Sequence, residues 1–302
     1  MINLKRLFPF LFQSIENFHD HLADLKVKNH KVLCANNLFL IAALPKSGST
    51  WLTHLLSVVP GMVQLDRSKI RDFPQNPKLI HPHDISFEML NSAPPNCLSF
   101  LKLHLNPYPR NFYILESFNA KTIVLIRDLR DVLISRLYHI ILMDDHWDKK
   151  RLLCLPEESR LIESMKGIVP QISLNIIDYF SFWISTWIDR VSSHPNETLI
   201  IKYEDMKTDL FSVMKSIFKF YDYKISDEGI KAVILKQSKV HKNDRKRSLK
   251  NNLKLTGRSH STFRKGSIGE WQNEFDQEII DYFKLHAGEV LIESGYENDL
   301  SW

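Results

Sequence analysis

The chain has 302 residues, 44% hydrophobic and 25% charged, which is enough for one full core or for two smaller ones. Its net charge of +5 suits anionic ligands but falls short of a composition that binds nucleic acid. Cys34, Cys97 and Cys154 are too widely spaced for a metal site, and an odd set of this kind suggests free thiols in a reducing, cytoplasmic compartment.

At the N-terminus, Lys5 and Arg6 precede an apolar run that Pro9 breaks early, with no small-residue cleavage site after it. Residues 1–33 are expected to form an amphipathic helical cover segment, followed by a domain over 34–302. No run approaches the roughly 20 apolar residues of a membrane span.

Leu38 to Leu44 is wholly apolar and reads as a strand buried on both faces. The turn Pro45-Lys46-Ser47-Gly48-Ser49-Thr50 follows. Trp51, Leu52, Leu55, Leu56 and Val59 then recur at helical spacing until Pro60-Gly61 stops the run. Strand, polar turn and helix aim backbone N–H groups at an anion, and Lys46 adds a charge. The plainer reading is an ordinary strand-to-helix turn with Ser49 as N-cap. The loop is not a Walker A sequence, because Lys46 precedes the glycine.

Residues 60–97 are rich in Pro, His, Asn and Asp and read as loops around short helices. His81 and His83 lie there with no nearby Cys, which favours a surface or substrate-facing role over a metal site. Leu98 to Leu105 is a strand that places Lys102 and His104 on one face, about 7 Å apart along the chain. They are a cation and a titratable base, or else two solvated residues on an edge strand.

Thr122 to Ile126 is another buried strand, leading to Arg127 and a helical pattern that contains Ser135. For both to reach one anion, the turn must be extended and the helix must start near Asp131. Otherwise Arg127 pairs with Asp128 or Asp131 and Ser135 bonds within its own helix. Residues 144–170 look charged and loop-like. Ile172 to Arg190 is a long helix whose Phe180, Trp183 and Trp187 are core packing.

Thr198 to Tyr203 is a further buried strand, and Leu210 to Tyr221 a helix. Alternating strands and helices predict an α/β single domain with a parallel sheet and helices on both faces. Lys236 to Lys254 is basic and reads as a solvated loop. Arg264-Lys265-Gly266, with Gly269 after it, lets backbone approach an anion. Gln277 to Ala287 closes the domain as a helix.

Taken together, these stretches resemble the cytosolic type of sulfotransferase that uses 3′-phosphoadenosine-5′-phosphosulfate (PAPS). Five motifs carry the resemblance in order: Pro45 to Trp51 (PKSGSTW), Lys102-Leu103-His104, the pair Arg127 and Ser135, Lys202 to Met206 (KYEDM), and Arg264 to Trp271 (RKGSIGEW). It implies a P-loop NTPase-like parallel sheet flanked by helices on both faces. By the same resemblance His104 is the general base, Lys46 steadies the departing phosphate oxygen, and Lys102 holds charge on the transferring group. Ser47, Gly48, Ser49 and Thr50 cradle the 5′-phosphate, while Trp51 packs on the adenine and Tyr203 hydrogen-bonds it. Arg127, Ser135, Arg264, Lys265 and Gly266 grip the 3′-phosphate.

The implied co-substrate is PAPS, giving the product 3′-phosphoadenosine-5′-phosphate (PAP) without a metal. The implied partner is a small acceptor with a hydroxyl or amine, not nucleic acid. There are departures. Ser49 and Glu270 stand where the family usually has Thr and Asp. Asn106 displaces the usual Pro after His-Leu by one position. The aromatic expected near Ser238 is not evident, and the family's C-terminal dimer segment is absent. The alternatives are a nucleotide-dependent kinase on a related fold and a nucleotide-binding protein without catalysis.

Overall fold

β1 (Leu38–Ala43) is buried at all six positions, and the rest of the sheet is built outward from it. In the computed structural model, which describes residues 37–65, 84–94, 97–143, 146–169, 174–239 and 266–302, five parallel strands form one sheet. Besides β1 these are β2 (Met62–Gln64), β3 (Leu98–Leu103), β4 (Thr122–Ile126) and β7 (Thr198–Lys202), in the order β2-β3-β1-β4-β7. Two short strands, β5 (Ile168–Val169) and β6 (Leu174–Asn175), pair separately and antiparallel.

Side chains alternate across a strand, so β1 feeds two cores. Leu38, Leu40 and Ala42 join one, and Phe39, Ile41 and Ala43 join the other. α1 (Ser49–Ser57) places Leu52, Leu55 and Leu56 in the second core. α2 (Pro109–Ser117), α3 (Leu129–Leu142) and α4 (Ile176–Ser193) pack in the first. α5 (Tyr203–Thr208) and α6 (Leu210–Phe220) return to the second, with the helical stretch 227–239 beside them. α7 (Trp271–Glu274) is short, and α8 (Gln277–Glu293) closes the first core through Phe283, Ala287 and Leu291. Helices therefore cover both faces, as the alternating pattern predicts.

Local chemistry sets the helix starts. Asp128, Asn175, Asp209 and Asp276 cap α3, α4, α6 and α8 by accepting from backbone amides in the first turn. Pro109 stands in the first turn of α2, where a missing N–H costs nothing.

Several boundaries differ from expectation. Residues 144–170 hold helices Lys149–Leu153 and Arg160–Lys166 rather than loops. Their charges have internal partners: Arg151 pairs Asp148 at 2.7 Å, and Lys166 pairs Glu163 at 3.0 Å. β3 stops at Leu103 rather than Leu105, because the next carbonyls accept from side chains instead of a strand. α4 spans Ile176–Ser193, later than the Ile172–Arg190 expected, and α8 continues six residues past Ala287. The edge strand β2 lies in a stretch read as loops. Segment 1–33, Cys34, His81, His83 and most of the basic stretch 236–262 lie outside the described residues. No helix among the described residues is long and apolar enough to cross a membrane.

Candidate active site

Among the described residues, the C-terminal ends of β1, β3, β4 and β7 gather most of the sequence-predicted ones. After β1 the chain turns sharply, with Lys46 at φ 70° and Gly48 at φ 90°. The Ser47 hydroxyl donates back to the Leu44 carbonyl at 2.7 Å, fixing the turn, and Ser47 is fully buried. Gly48, not Ser49, is the N-cap of α1, and no side chain caps this end. An uncapped helix start at the end of a buried strand is an anion-accepting end. Ser49 is buried in the first turn and Thr50 is exposed.

Gly48 is required by its neighbour as well as by its φ. A Cβ there would lie 2.5 Å from Cδ2 of Tyr203. Tyr203 opens α5, meets Trp51 edge to face at 6.1 Å, and lies 4.7 Å from the Arg127 guanidinium carbon. Its hydroxyl donates to the Gly266 carbonyl at 2.9 Å. One buried ring therefore links the turn, the end of β4 and the 266–271 segment.

Lys102 on β3 and His104 just past its end are both half-buried. Lys102 Nζ donates to His104 Nε2 at 2.9 Å. His104 Nδ1 lies 2.7 Å from the Ala43 carbonyl. A carbonyl only accepts, so Nδ1 carries the proton and Nε2 keeps its lone pair. The β1–β3 ladder last pairs Ala42 with Leu103, so this bond continues the sheet one step beyond its end.

Arg127 follows β4. Its Nη2 donates to Asp131 Oδ2 at 3.2 Å and to the Ser267 carbonyl at 2.8 Å. Its Nε is buried without a hydrogen-bond partner among the described residues. Asp131 also accepts from the Gly269 amide at 2.9 Å and the Trp271 amide at 3.1 Å. This carboxylate pins the 267–271 segment to α3. Burial pushes its pKa up, while Arg127 and the two amides pull it back. α3 begins at Leu129, two residues before Asp131, so Ser135 sits about 9 Å along the helix at 1.5 Å per residue. Arg127 and Ser135 thus share the β4 end less closely than an extended turn would allow. The pairing of Arg127 with Asp131 exists as well. Arg264 and Lys265 lie outside the described residues, and Gly266 stands at φ 65°.

Burial, then Arg127, lowers the Lys46 pKa from its ordinary value. His139, one helical turn after Ser135, is lowered to about 4 by burial first and then by Lys46, His146 and Arg136. Burial leads in both shifts, and neighbouring cations add to it in each.

Sequence reasoning passed over His139 and Asp84, and saw Asp131 only as a partner for Arg127. The pair of Arg127 with Asp131 was among the expected alternatives, but the bonds from the Gly269 and Trp271 amides, some 140 residues away, carried no local signal. His139 shares the helix face of Ser135. Asp84 carried no signal, since its buried bonds to Asn106 and Asn111 join distant segments.

The family described as Sulfotransferase domain matches residues 37–295. The chain belongs to the sulfotransferase family. It is an enzyme of the PAPS-dependent sulfotransferase class. Sulfotransferase 1B1 of Canis lupus familiaris is 27% identical over 296 residues, covering 90% of this chain and 88% of its own. Cytosolic sulfotransferase 3 of Arabidopsis thaliana is 25% identical, covering 86% of this chain and 80% of its own. Among solved structures, mouse sulfotransferase SULT7A1 complexed with PAP aligns at TM-score 0.58 and 17% identity, covering 88% of each chain. Retinol dehydratase in complex with androsterone and PAP aligns at 0.55 and 20% identity, covering 85% of this chain and 81% of that one. These two bear on the sulfotransferase's fold.

Proposed function

We propose that this sulfotransferase moves the sulfuryl group of PAPS to a hydroxyl or amine of a small acceptor by in-line displacement, with His104 as general base. The acceptor's oxygen or nitrogen forms a bond to sulfur, the sulfur–oxygen bond to the 5′-phosphate breaks, and the acceptor's proton goes to His104 Nε2. The observation that carries this reading is the fixed tautomer of His104. Its Nδ1–H is held by the Ala43 carbonyl, so Nε2 is the basic nitrogen.

The residues present fit the nucleotide. The uncapped start of α1 and Lys46 offer donors and charge to a 5′-phosphate, with Ser47, Gly48, Ser49 and Thr50 forming the turn. Arg127 Nε, buried without a partner among the described residues, suits a 3′-phosphate oxygen; Ser135, Arg264, Lys265 and Gly266 are its further partners by the family resemblance. Trp51 packs on the adenine. The Tyr203 hydroxyl donates once, to Gly266, and still accepts, which suits an adenine amino group. Lys46 stabilises the phosphate oxygen that departs, and Lys102 the transferring group; placement and charge supply most of the rate. The acceptor is taken as a small apolar alcohol, phenol or amine. Relatives named for flavonol and 3-beta-hydroxysteroid acceptors support that class.

The test is a transfer screen with labelled PAPS against phenols, alcohols, amines and saccharides, run on the wild type and His104→Ala. The variant is expected to lose about 10²- to 10⁴-fold in transfer while binding PAP normally. Undiminished transfer refutes the base assignment.

A further inference from the structure

The five residues after β3 form no strand, yet the carbonyls of the second and third, Leu105 and Asn106, are held by side chains. The Leu105 carbonyl accepts from Trp183 Nε1 at 2.8 Å and from Trp187 Nε1 at 3.4 Å, both on α4. The Asn106 carbonyl accepts from Asn111 Nδ2 at 2.8 Å, on α2. The Asn106 side chain is fully buried and uses both ends: Nδ2 donates to Asp84 Oδ1 at 3.1 Å, and Oδ1 accepts from the Tyr179 hydroxyl at 2.5 Å. Asn111 Nδ2 also donates to Asp84 Oδ1 at 2.9 Å, and Asn111 Oδ1 accepts from the Ile85 amide at 3.3 Å. Asp84, Asn106 and Asn111 are each at most 1% exposed.

A polar network buried this deeply is stable only when satisfied, and then it is rigid. It begins two residues after His104. On the other side His104 is tied to the Ala43 carbonyl. The imidazole is therefore suspended between two anchors, the end of β1 and the Asn106 network.

We propose that Asn106, bonded to Asp84 and Tyr179, is a positioning residue that holds the His104 ring with its Nδ1–H on the Ala43 carbonyl. The inference rests on the reading of His104 as base for its catalytic consequence, but not for its structural content. Asn106 touches no reacting atom. It acts by fixing the backbone from which the imidazole projects, and α2 and α4 supply the fixed framework. Loss of the network lets residues 104–106 shift, the Nδ1–H···O=C bond loosens, and the ring samples its other tautomer.

The experiment compares wild type, Asn106→Ala, Tyr179→Phe and His104→Ala. Long-range proton–nitrogen spectra at alkaline pH read which His104 nitrogen is protonated. Steady-state transfer gives kcat and KM, and titration with PAP gives nucleotide affinity. Asn106→Ala is expected to mix the tautomer signals and lower kcat at least fivefold, with PAP affinity within twofold. Tyr179→Phe, nearly the same volume, moves both readouts the same way but less, and decides the matter alone if Asn106→Ala does not fold. An unchanged His104 nitrogen pattern in a folded variant overturns the proposal whatever the activity does. Full transfer by His104→Ala overturns the base reading instead and leaves the nitrogen spectra to judge the positioning role.

Discussion

Lys102 Nζ donates to His104 Nε2 at 2.9 Å, so the cation occupies the lone pair that the proposed base would use. The two roles proposed for these residues are compatible only if Lys102 leaves when a sulfuryl group arrives. An anionic sulfonate is a stronger partner for an ammonium than a neutral imidazole is.

The departure of Lys102 makes a separable prediction. Lys102→Met removes the cation proposed to face the transferring group and leaves the proposed phosphate contacts in place. It is expected to lower kcat about 10- to 100-fold and to change PAP affinity less than twofold, since PAP lacks the sulfonate. Parallel titration and steady-state kinetics check this. An equal loss in both would mean that Lys102 serves the nucleotide phosphates instead.

Lys46 gives a proton-linked prediction. Burial and Arg127 lower its pKa in the free protein. A bound phosphate reverses the local field and raises it again. PAP binding therefore takes up a proton at alkaline pH, and affinity falls as pH rises through the lowered value. Calorimetry in two buffers of different ionisation enthalpy at alkaline pH reads the uptake directly. Lys46→Ala is expected to abolish it and to cost at least tenfold in affinity, about 1.4 kcal/mol. Uptake that persists in the variant would assign the proton to another group.

How far the sequence exposes these relationships depends on their range. The strand–turn–helix from Leu38 to Val59 is legible because apolar runs, a polar turn and helical spacing are local signals. The shared face of Lys102 and His104 follows from strand alternation alone. The hydrogen bond from His104 to Ala43 does not, because it spans 61 residues. Tyr203 over Gly48 is a packing fact of the same long-range kind. The stretch 144–170 misleads for a different reason. Its charges resemble solvated loop residues until Arg151 and Asp148 are seen to neutralise each other. Trp183 and Trp187 are core, as their spacing suggests, but each also donates to Leu105, and no pattern announces that.

One buried Asp131 carboxylate anchors the 267–271 segment through the Gly269 and Trp271 amides and also pairs with Arg127. Removing it strands the Arg127 charge and two amide donors. Asp131→Ala is expected to destabilise the protein by about 3 kcal/mol, the scale of breaking a buried pair. It should also weaken PAP binding, because Arg127 and the 266–271 segment lose their shared fastening. Chemical denaturation and nucleotide titration measure the two effects. A loss below 1 kcal/mol would show the segment held by other contacts.

Gly48 tests the turn itself. Alanine there meets both a positive φ and the Tyr203 ring, at 2.5 Å from Cδ2. The ring cannot yield freely, since its hydroxyl is bonded to Gly266 and Arg127 stacks on it. Gly48→Ala is expected to cost about 1–3 kcal/mol in stability, the range for an unfavourable backbone conformation. Pairing it with Tyr203→Ala removes the clash but not the φ strain. The double variant should therefore recover part of the loss expected from summing the singles. Strict additivity would place the whole cost in the backbone.

His139 supplies the pH dependence. Its pKa in the folded protein is about 4, against an ordinary value of 6.5, with burial the leading cause. Between those values the unfolded chain binds the proton and the folded chain does not. Stability from this group is thus fully present above pH 6.5 and is lost as pH falls toward 4. The ring is half-buried, so solvent screens part of the effect. His139→Phe removes the titration and keeps an aromatic ring of similar size. Thermal melts across that window should show a shallower acid limb for the variant than for the wild type. Superimposable acid limbs would mean that His139 titrates alike in both states. In that case its neighbours Lys46 and Arg136 do not hold it neutral.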